Sequence, residues 1–231
     1  MIMHFTAASI SKKRLSAAIW RFLTAAMGIL GLGMLFATTR PGRSAPLLYY
    51  FTTQSNILVT ILFVILAASS LGTAGSRGKT KPAFQVPPAL HLAIVFYITI
   101  TFLVFALLLS GYLFSMGRAS AISMVLTHYV VPLMAIADWI FFLPHGKVGY
   151  RAAFAWLGYP LAYFGFSLLR ARFGHPSFDH GSRYPYFFID VDKLGWNAML
   201  WIIPAFTAGF FLLGLGMIGL DRRLARKNSG S

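Results

Sequence analysis

The sequence contains no cysteine and no glutamate, and its five acidic residues are all aspartates. The first absence excludes disulfides, thiolate metal sites and cysteine nucleophiles. Charge is scarce as well: 11% of residues are charged, against about 25% in a soluble domain. The shortage is one-sided, because twenty Lys and Arg face the five aspartates for a net charge of +15. What is abundant is apolar: 58% of residues are hydrophobic and 16% aromatic, with a mean hydropathy of +0.71. This excludes an ordinary cytosolic enzyme and any disordered or fibrous chain. In a soluble protein such a basic balance would point to nucleic acid. Here the basic residues fall between long apolar runs, so the anionic face of a membrane is the simpler partner and no nucleic acid is implied.

Ionisable residues divide the chain into windows of bilayer length. Residues 22–39, 152–169 and 194–220 carry no charge, 44–76 and 92–117 are equally clean, and 119–137 hold one ionisable group, His128. A helix needs about 20 apolar residues to cross about 30 Å of hydrocarbon, and in lipid it satisfies its backbone internally. The short alternating segments of a β-barrel do not occur. The reading is an all-α integral membrane protein, one domain over 1–231, with six transmembrane helices near 17–38, 51–71, 91–114, 121–143, 150–169 and 195–220. Lys12, Lys13 and Arg14 precede the first apolar run as in a signal peptide, but that run is too long for one, so it is an anchor that stays. Thirteen basic residues lie on the side of the termini and seven on the other. That bias places both termini in the cytoplasm, in a multi-pass protein of the cell inner (plasma) membrane. The stretch Ser69–Pro88 is small-residue and basic, as a flexible linker would be. The loop over 170–194 is rich in aromatics, acids and histidines, and is expected to pack back on the bundle.

Several motifs have a plain structural reading. Gly214-Leu215-Gly216-Met217-Ile218-Gly219 matches the dinucleotide fingerprint literally, but no strand precedes it and it lies inside a span. Close helix packing explains it, as it explains Gly28, Gly31 and Gly33. Ser110-Gly111 with a membrane histidine resembles an intramembrane serine protease, yet Leu108 stands where that turn needs glycine. Asp138 is the one acid read inside a span, and an Arg21–Asp138 structural ion pair is preferred to a proton relay. His91, His145 and His175 lack metal-ligand spacing and are read as solvated. No metal and no cofactor is implied.

Two features are harder to set aside. The second span opens with Thr52-Thr53-Gln54-Ser55-Asn56, five polar side chains that are costly in lipid unless they face protein or water. On a helix Thr52, Ser55 and Asn56 share one face. In the fourth span Pro132 cannot donate to the His128 carbonyl four residues back, so the helix should loosen at that histidine. His128 lies about seven residues from the outer end, roughly 10 Å deep. Both features fall in the outer half of the bilayer. A hydroxyl beside a neutral imidazole is the minimum for nucleophilic acyl transfer. On residue types alone, Thr52 as a helix cap and His128 as a core histidine is the plainer account.

Three stretches carry a resemblance: Phe51-Thr52-x-x-Ser55-Asn56, the Leu126-x-His128-Tyr129-Val130-Val131-Pro132 run, and Tyr184-Pro185-Tyr186-Phe187-Phe188-Ile189-Asp190-Val191 followed by Leu194-Gly195-Trp196. Together they resemble the androgen-induced membrane protein family in its bacterial branch. Eukaryotic members are membrane hydrolases of fatty acid esters of hydroxy fatty acids that use a Thr and a His. The resemblance implies a lipid esterase acting on a membrane lipid or fatty acid ester, with Thr52 as nucleophile and His128 as general base. Thr53 adjoins Thr52, and Thr52 is preferred because it shares the Asn56 face while Thr53 is turned about 100° away. Asn56 or Ser55 is the expected oxyanion donor. A third, orienting member is expected from the outside loop, with Asp190 and Tyr186 the candidates. The alternative from another class is a non-catalytic lipid-binding or transport protein, to which a broken helix at His128 and Pro132 is equally suited.

Overall fold

Six long helices carry nearly all of the backbone in the computed structural model, which describes residues 7–39, 44–74, 86–174, 178 and 181–229. They are α1 (Ala7–Ala37), α2 (Phe51–Ala74), α3 (Pro88–Ser115), α4 (Arg118–Phe142), α5 (Arg151–Phe173) and α6 (Val191–Ser229). Each contains a stretch long and apolar enough to cross a membrane, and the chain is a multi-pass membrane protein. No strand occurs among the described residues. Arg40, Arg43, His175 and the basic part of the expected linker, 75–85, lie outside the described residues. The helices overrun the expected spans: α1 starts at Ala7 rather than 17, and α6 runs to Ser229 rather than 220. A charge-free window marks the hydrocarbon, whereas backbone hydrogen bonding continues into polar surroundings where Lys and Arg are solvated.

Two helices depart from α geometry. In α4 a π turn spans Leu126–Val130, and the Val131 N–H bonds Leu126 O, five residues back. Its cause is Pro132, which has no N–H to continue the ladder. In α3 a π turn over Phe105–Leu109 passes into a 3-10 turn over Ser110–Ser115, with no proline to account for it. Gly195 bends the start of α6 at φ 75°, a conformation open to glycine.

α3 is the central helix. From His91 to Thr101 every residue but Tyr97 is buried, as befits a helix that is apolar all round. One side of it, through Leu92, Phe96 and Ile100, joins Trp156 and Tyr163 of α5 and Met199 and Ile218 of α6. The other side, through Ile94 and Ile98, joins Ala25 of α1, Val59 and Phe63 of α2, and Val131 and Ala135 of α4. By contrast Trp196, Leu200, Trp201 and Leu212 of α6 are each at least 60% exposed, a face suited to lipid.

The glycine reading divides. A Cβ at Gly28 would lie 2.3 Å from Thr60 Oγ1, one at Gly31 would lie 3.1 Å from Leu126 Cβ, and one at Gly214 would lie 3.3 Å from Ala153 Cβ. These are close helix contacts. Gly33 and Gly216 have nothing within 4 Å, so close packing is not their role.

At the end of the bundle where α1 begins, Arg21 Nε donates to Asp138 Oδ1 at 3.0 Å, with Asp138 wholly buried. The histidines there are not solvated as expected. His91 is buried, its Nε2 3.8 Å from Asp138 Oδ2. His145 Nδ1 lies 2.8 Å from Asp221 Oδ1, and its Nε2 faces Ile140 O at 3.1 Å. Nor is Asp138 alone among buried acids. Asp221, near the end of α6, also accepts from Trp139 Nε1 and from the Gly146 N–H, at 3.1 and 2.7 Å. Buried carboxylates need donors. His145 meets that need at Asp221, whereas His91 Nε2 and Asp138 Oδ2 are buried without a hydrogen bond among the described residues.

Candidate functional site

The first residues of a helix present backbone N–H groups with no partner inside the helix. At the start of α2 one of them, the Thr52 N–H, donates to the Tyr186 hydroxyl at 3.1 Å. Tyr186 in turn donates to Thr52 Oγ1 at 3.4 Å. Burial pushes the Tyr186 phenol up to about 12, although its hydrogen bonds to Thr52 pull the other way. It therefore keeps its proton at neutral pH. The Thr52 hydroxyl proton has no acceptor among the described residues.

Tyr186 reaches this position because the connection between α5 and α6 folds back on the bundle, as expected. Arg183 makes two bonds to Asp192, at 2.8 and 2.7 Å, and a third to Ala171 O at 3.0 Å. The Arg170 guanidinium lies over the rings of Tyr49 and Phe178, 4.7 Å from each. Asp190 is engaged in the same fixing. It accepts from Ser182 Oγ at 2.8 Å and from the Lys193 N–H at 3.2 Å, capping the start of α6. Asp190 therefore shapes the loop and makes no bond to His128; of the two loop candidates, Tyr186 is the one that meets Thr52.

The polar face of α2 is tied into the bundle. Ser55 Oγ donates to Thr52 O at 3.1 Å and lies 2.6 Å from Thr101 Oγ1. With its one proton spent, Ser55 accepts from Thr101. Asn56 Nδ2 donates to Thr52 O at 2.8 Å and to Thr127 O at 3.0 Å, which uses both amide protons. The expectation that Asn56 or Ser55 donates to an oxyanion therefore fails, since both are committed to carbonyls. Tyr186 has the proton directed at Thr52. Asn56 Oδ1 is buried with no hydrogen-bond partner among the described residues.

His128 sits in the α4 π turn, buried, with the Phe105 ring 4.1 Å from its own. Its Nδ1 lies 3.1 Å from Met124 O and 2.9 Å from Thr127 Oγ1. Thr127 gives its own proton to Ser123 O at 2.8 Å. A carbonyl only accepts, so this pattern assigns the proton to Nδ1 and leaves the Nε2 lone pair as a base. Thr52 and His128 are brought to one layer, since Asn56 joins the carbonyls of Thr52 and Thr127. The two side chains make no hydrogen bond to each other, and His128 does not line the cleft that Thr52 faces.

That cleft lies between α3, α5 and α6 under Tyr186 and Phe188. Its wall is largely apolar and includes Ile100, Val104, Pro160, Phe164, Ile202, Phe206 and Phe210. Its polar members are mostly spent: Tyr163 donates to Tyr49 O at 2.9 Å and Thr207 to Ile203 O at 2.8 Å. Thr52 and Tyr186 are left as the pair whose chemistry faces an otherwise greasy space. Thr53 does not line the cleft. A residue that the sequence did not single out is Thr101, which meets Ser55; Gln54 of the polar run accepts at Oε1 from Tyr159 OH at 2.8 Å. Among the described residues no three histidine or aspartate side chains gather as metal ligands. Comparison of the chain with family models, with curated proteins and with solved structures gives no match.

Proposed function

We propose that this chain is a plasma-membrane lipid esterase, with both termini cytoplasmic and the Thr52 site in the outer half of the bilayer. Its substrate is a fatty acid ester, of the kind cleaved by the hydrolase family that the three sequence stretches resemble. The acyl chain lies in the cleft between α3, α5 and α6, with the ester carbonyl at Thr52. Thr52 Oγ attacks the carbonyl carbon, and its proton passes to His128 Nε2, directly or through one water. The negative oxygen takes the Tyr186 hydrogen bond. His128 returns the proton to the departing alkoxide, and water then cleaves the acyl-threonine, with the histidine serving as base again. The observation that carries this reading is the Tyr186–Thr52 hydroxyl pair at 3.4 Å on the wall of an apolar cleft. Catalytic hydrogen bonds are commonly long before substrate arrives, which bears on the missing Thr52–His128 bond.

A second reading is a non-catalytic lipid-binding or transport protein. The absence of His128 from the cleft wall favours it. Hydrolysis of a fatty acid ester of a hydroxy fatty acid by purified protein separates the two. The esterase reading expects product release that Thr52→Ala abolishes. Saturable binding of the same ester without product, unchanged in Thr52→Ala, would replace it with the second reading.

A further inference from the structure

The carboxy-terminal turns of α6 form a recess that the Thr52 chemistry does not use. Beyond the bend at Gly195, α6 runs on to Ser229, about 51 Å at 1.5 Å per residue and well beyond the hydrocarbon it crosses. In its last part Gly216, Gly219, Arg223 and Arg226 follow at intervals of three or four and so share a face. Together with Tyr150 and Arg222 they line an open recess. The glycines make the hollow: nothing lies within 4 Å of a Cβ at Gly216, and at Gly219 only Tyr150 OH does, at 3.9 Å.

The rim is fixed and positive. Arg222 sits over the Tyr150 ring at 4.4 Å and donates from Nε to Val148 O at 3.4 Å. The loop before α5 is held to α6 by Asp221, which receives His145, Trp139 and the Gly146 N–H. Those bonds bury Asp221, so the acid next in sequence to the arginines does not line the recess. Arg223 and Arg226 stand exposed at its mouth. A groove of glycines leading to guanidinium groups and a phenol fits a phosphate headgroup on a glycerol backbone.

We propose that this recess binds the headgroup of an anionic phospholipid, with the phosphate between Arg223 and Arg226 and the glycerol portion along Gly216 and Gly219. The full chain, purified in neutral detergent, is titrated with phosphatidylglycerol, phosphatidylcholine and inorganic phosphate, and bound ligand is counted by native mass spectrometry. The expected result is saturable binding of phosphatidylglycerol that exceeds the other two. R223Q/R226Q should weaken it about tenfold or more. Gly216→Leu should weaken it comparably with no change of charge, because a Cβ there has nothing within 4 Å and the leucine side chain fills the groove. Lys12→Gln with Arg14→Gln removes two charges from the same end of the bundle and should leave binding unchanged. Equal weakening by that control pair, or wild-type binding by Gly216→Leu, would reduce the effect to diffuse surface charge and overturn the proposal. Equal binding of phosphatidylcholine or of inorganic phosphate would overturn it too, the first for want of charge selection and the second by pointing to a free-anion site.

Discussion

The bundle buries polar groups at both ends, and the two ends do it differently. Where α1 begins, the buried groups are ions and imidazoles: Asp138 with Arg21 and His91, and Asp221 with His145, Trp139 and Gly146. Around the start of α2 they are neutral hydroxyls and an amide, Thr52, Ser55, Asn56, Thr101, Thr127 and Tyr186, with the His128 imidazole beside Thr127. The buried carboxylate of that end, Asp190, is taken up in the loop by Ser182 and the Lys193 N–H. A buried carboxylate must be clamped, because losing its partner leaves a charge in a medium that cannot solvate it. A buried hydroxyl costs less to leave short of a partner and can turn to a new one. The charged end is built to stay as it is, whereas the neutral end retains an uncommitted hydroxyl proton on Thr52 beside an apolar cleft. Chemistry is expected where the groups are neutral, and stability where they are charged.

Substitutions should separate the two ends, with effects on stability that shrink from one to the other. Asp138→Ala strands Arg21 and should cost about 3–5 kcal/mol of unfolding free energy, measured by denaturant titration in mixed micelles; a loss under 1 kcal/mol would mean that the ion pair is not structural. Gly31→Ala pushes a methyl into the π turn at Leu126 and Thr127 and should cost about 1–3 kcal/mol, read in the same titration. Asn56→Ala leaves the Thr127 carbonyl without its donor and should cost about 1–3 kcal/mol. Tyr186→Phe should change stability by about 1 kcal/mol, through the lost bond to the Thr52 N–H. In ester turnover, however, it should lower kcat by about 100-fold or more as the oxyanion donor is removed. Thr52→Val should be the mildest of the series for stability, within about 1 kcal/mol, and still reduce turnover to the uncatalysed rate. A Thr52→Val protein with near-normal turnover, or an Asp138→Ala protein that is stable but inactive, would invert the comparison.

The sequence made much of this legible. Charge-free windows reveal six spans because ionisable side chains are expelled from hydrocarbon, and Pro132 reveals a loosened helix because a missing N–H has one consequence. The α3 π turn at Phe105–Leu109 has no such marker, although it brings Phe105 onto the His128 ring. Asp221 was hidden by its neighbours, since Arg222 and Arg223 make it look like part of a solvated tail. His91 and His145 were hidden in the same way: their partners lie 47 and 76 positions away in the chain, and pairing at that distance is written in the packing. The polar face of α2 was legible as a face, but the spending of its protons was not. Ser55 and Asn56 could be placed beside Thr52 from helical spacing, yet only the positions of the Thr52 and Thr127 carbonyls decide that neither has a proton left to give.

The central claim is that the Thr52 hydroxyl is a nucleophile. Its most direct test is to treat the purified protein with a β-lactone or fluorophosphonate probe and to map the modified residue by peptide mass spectrometry, with His128→Ala alongside. The account predicts covalent modification at Thr52, strongly reduced in folded His128→Ala. A probe adduct on another residue, or none on any protein that turns over the ester, would contradict it.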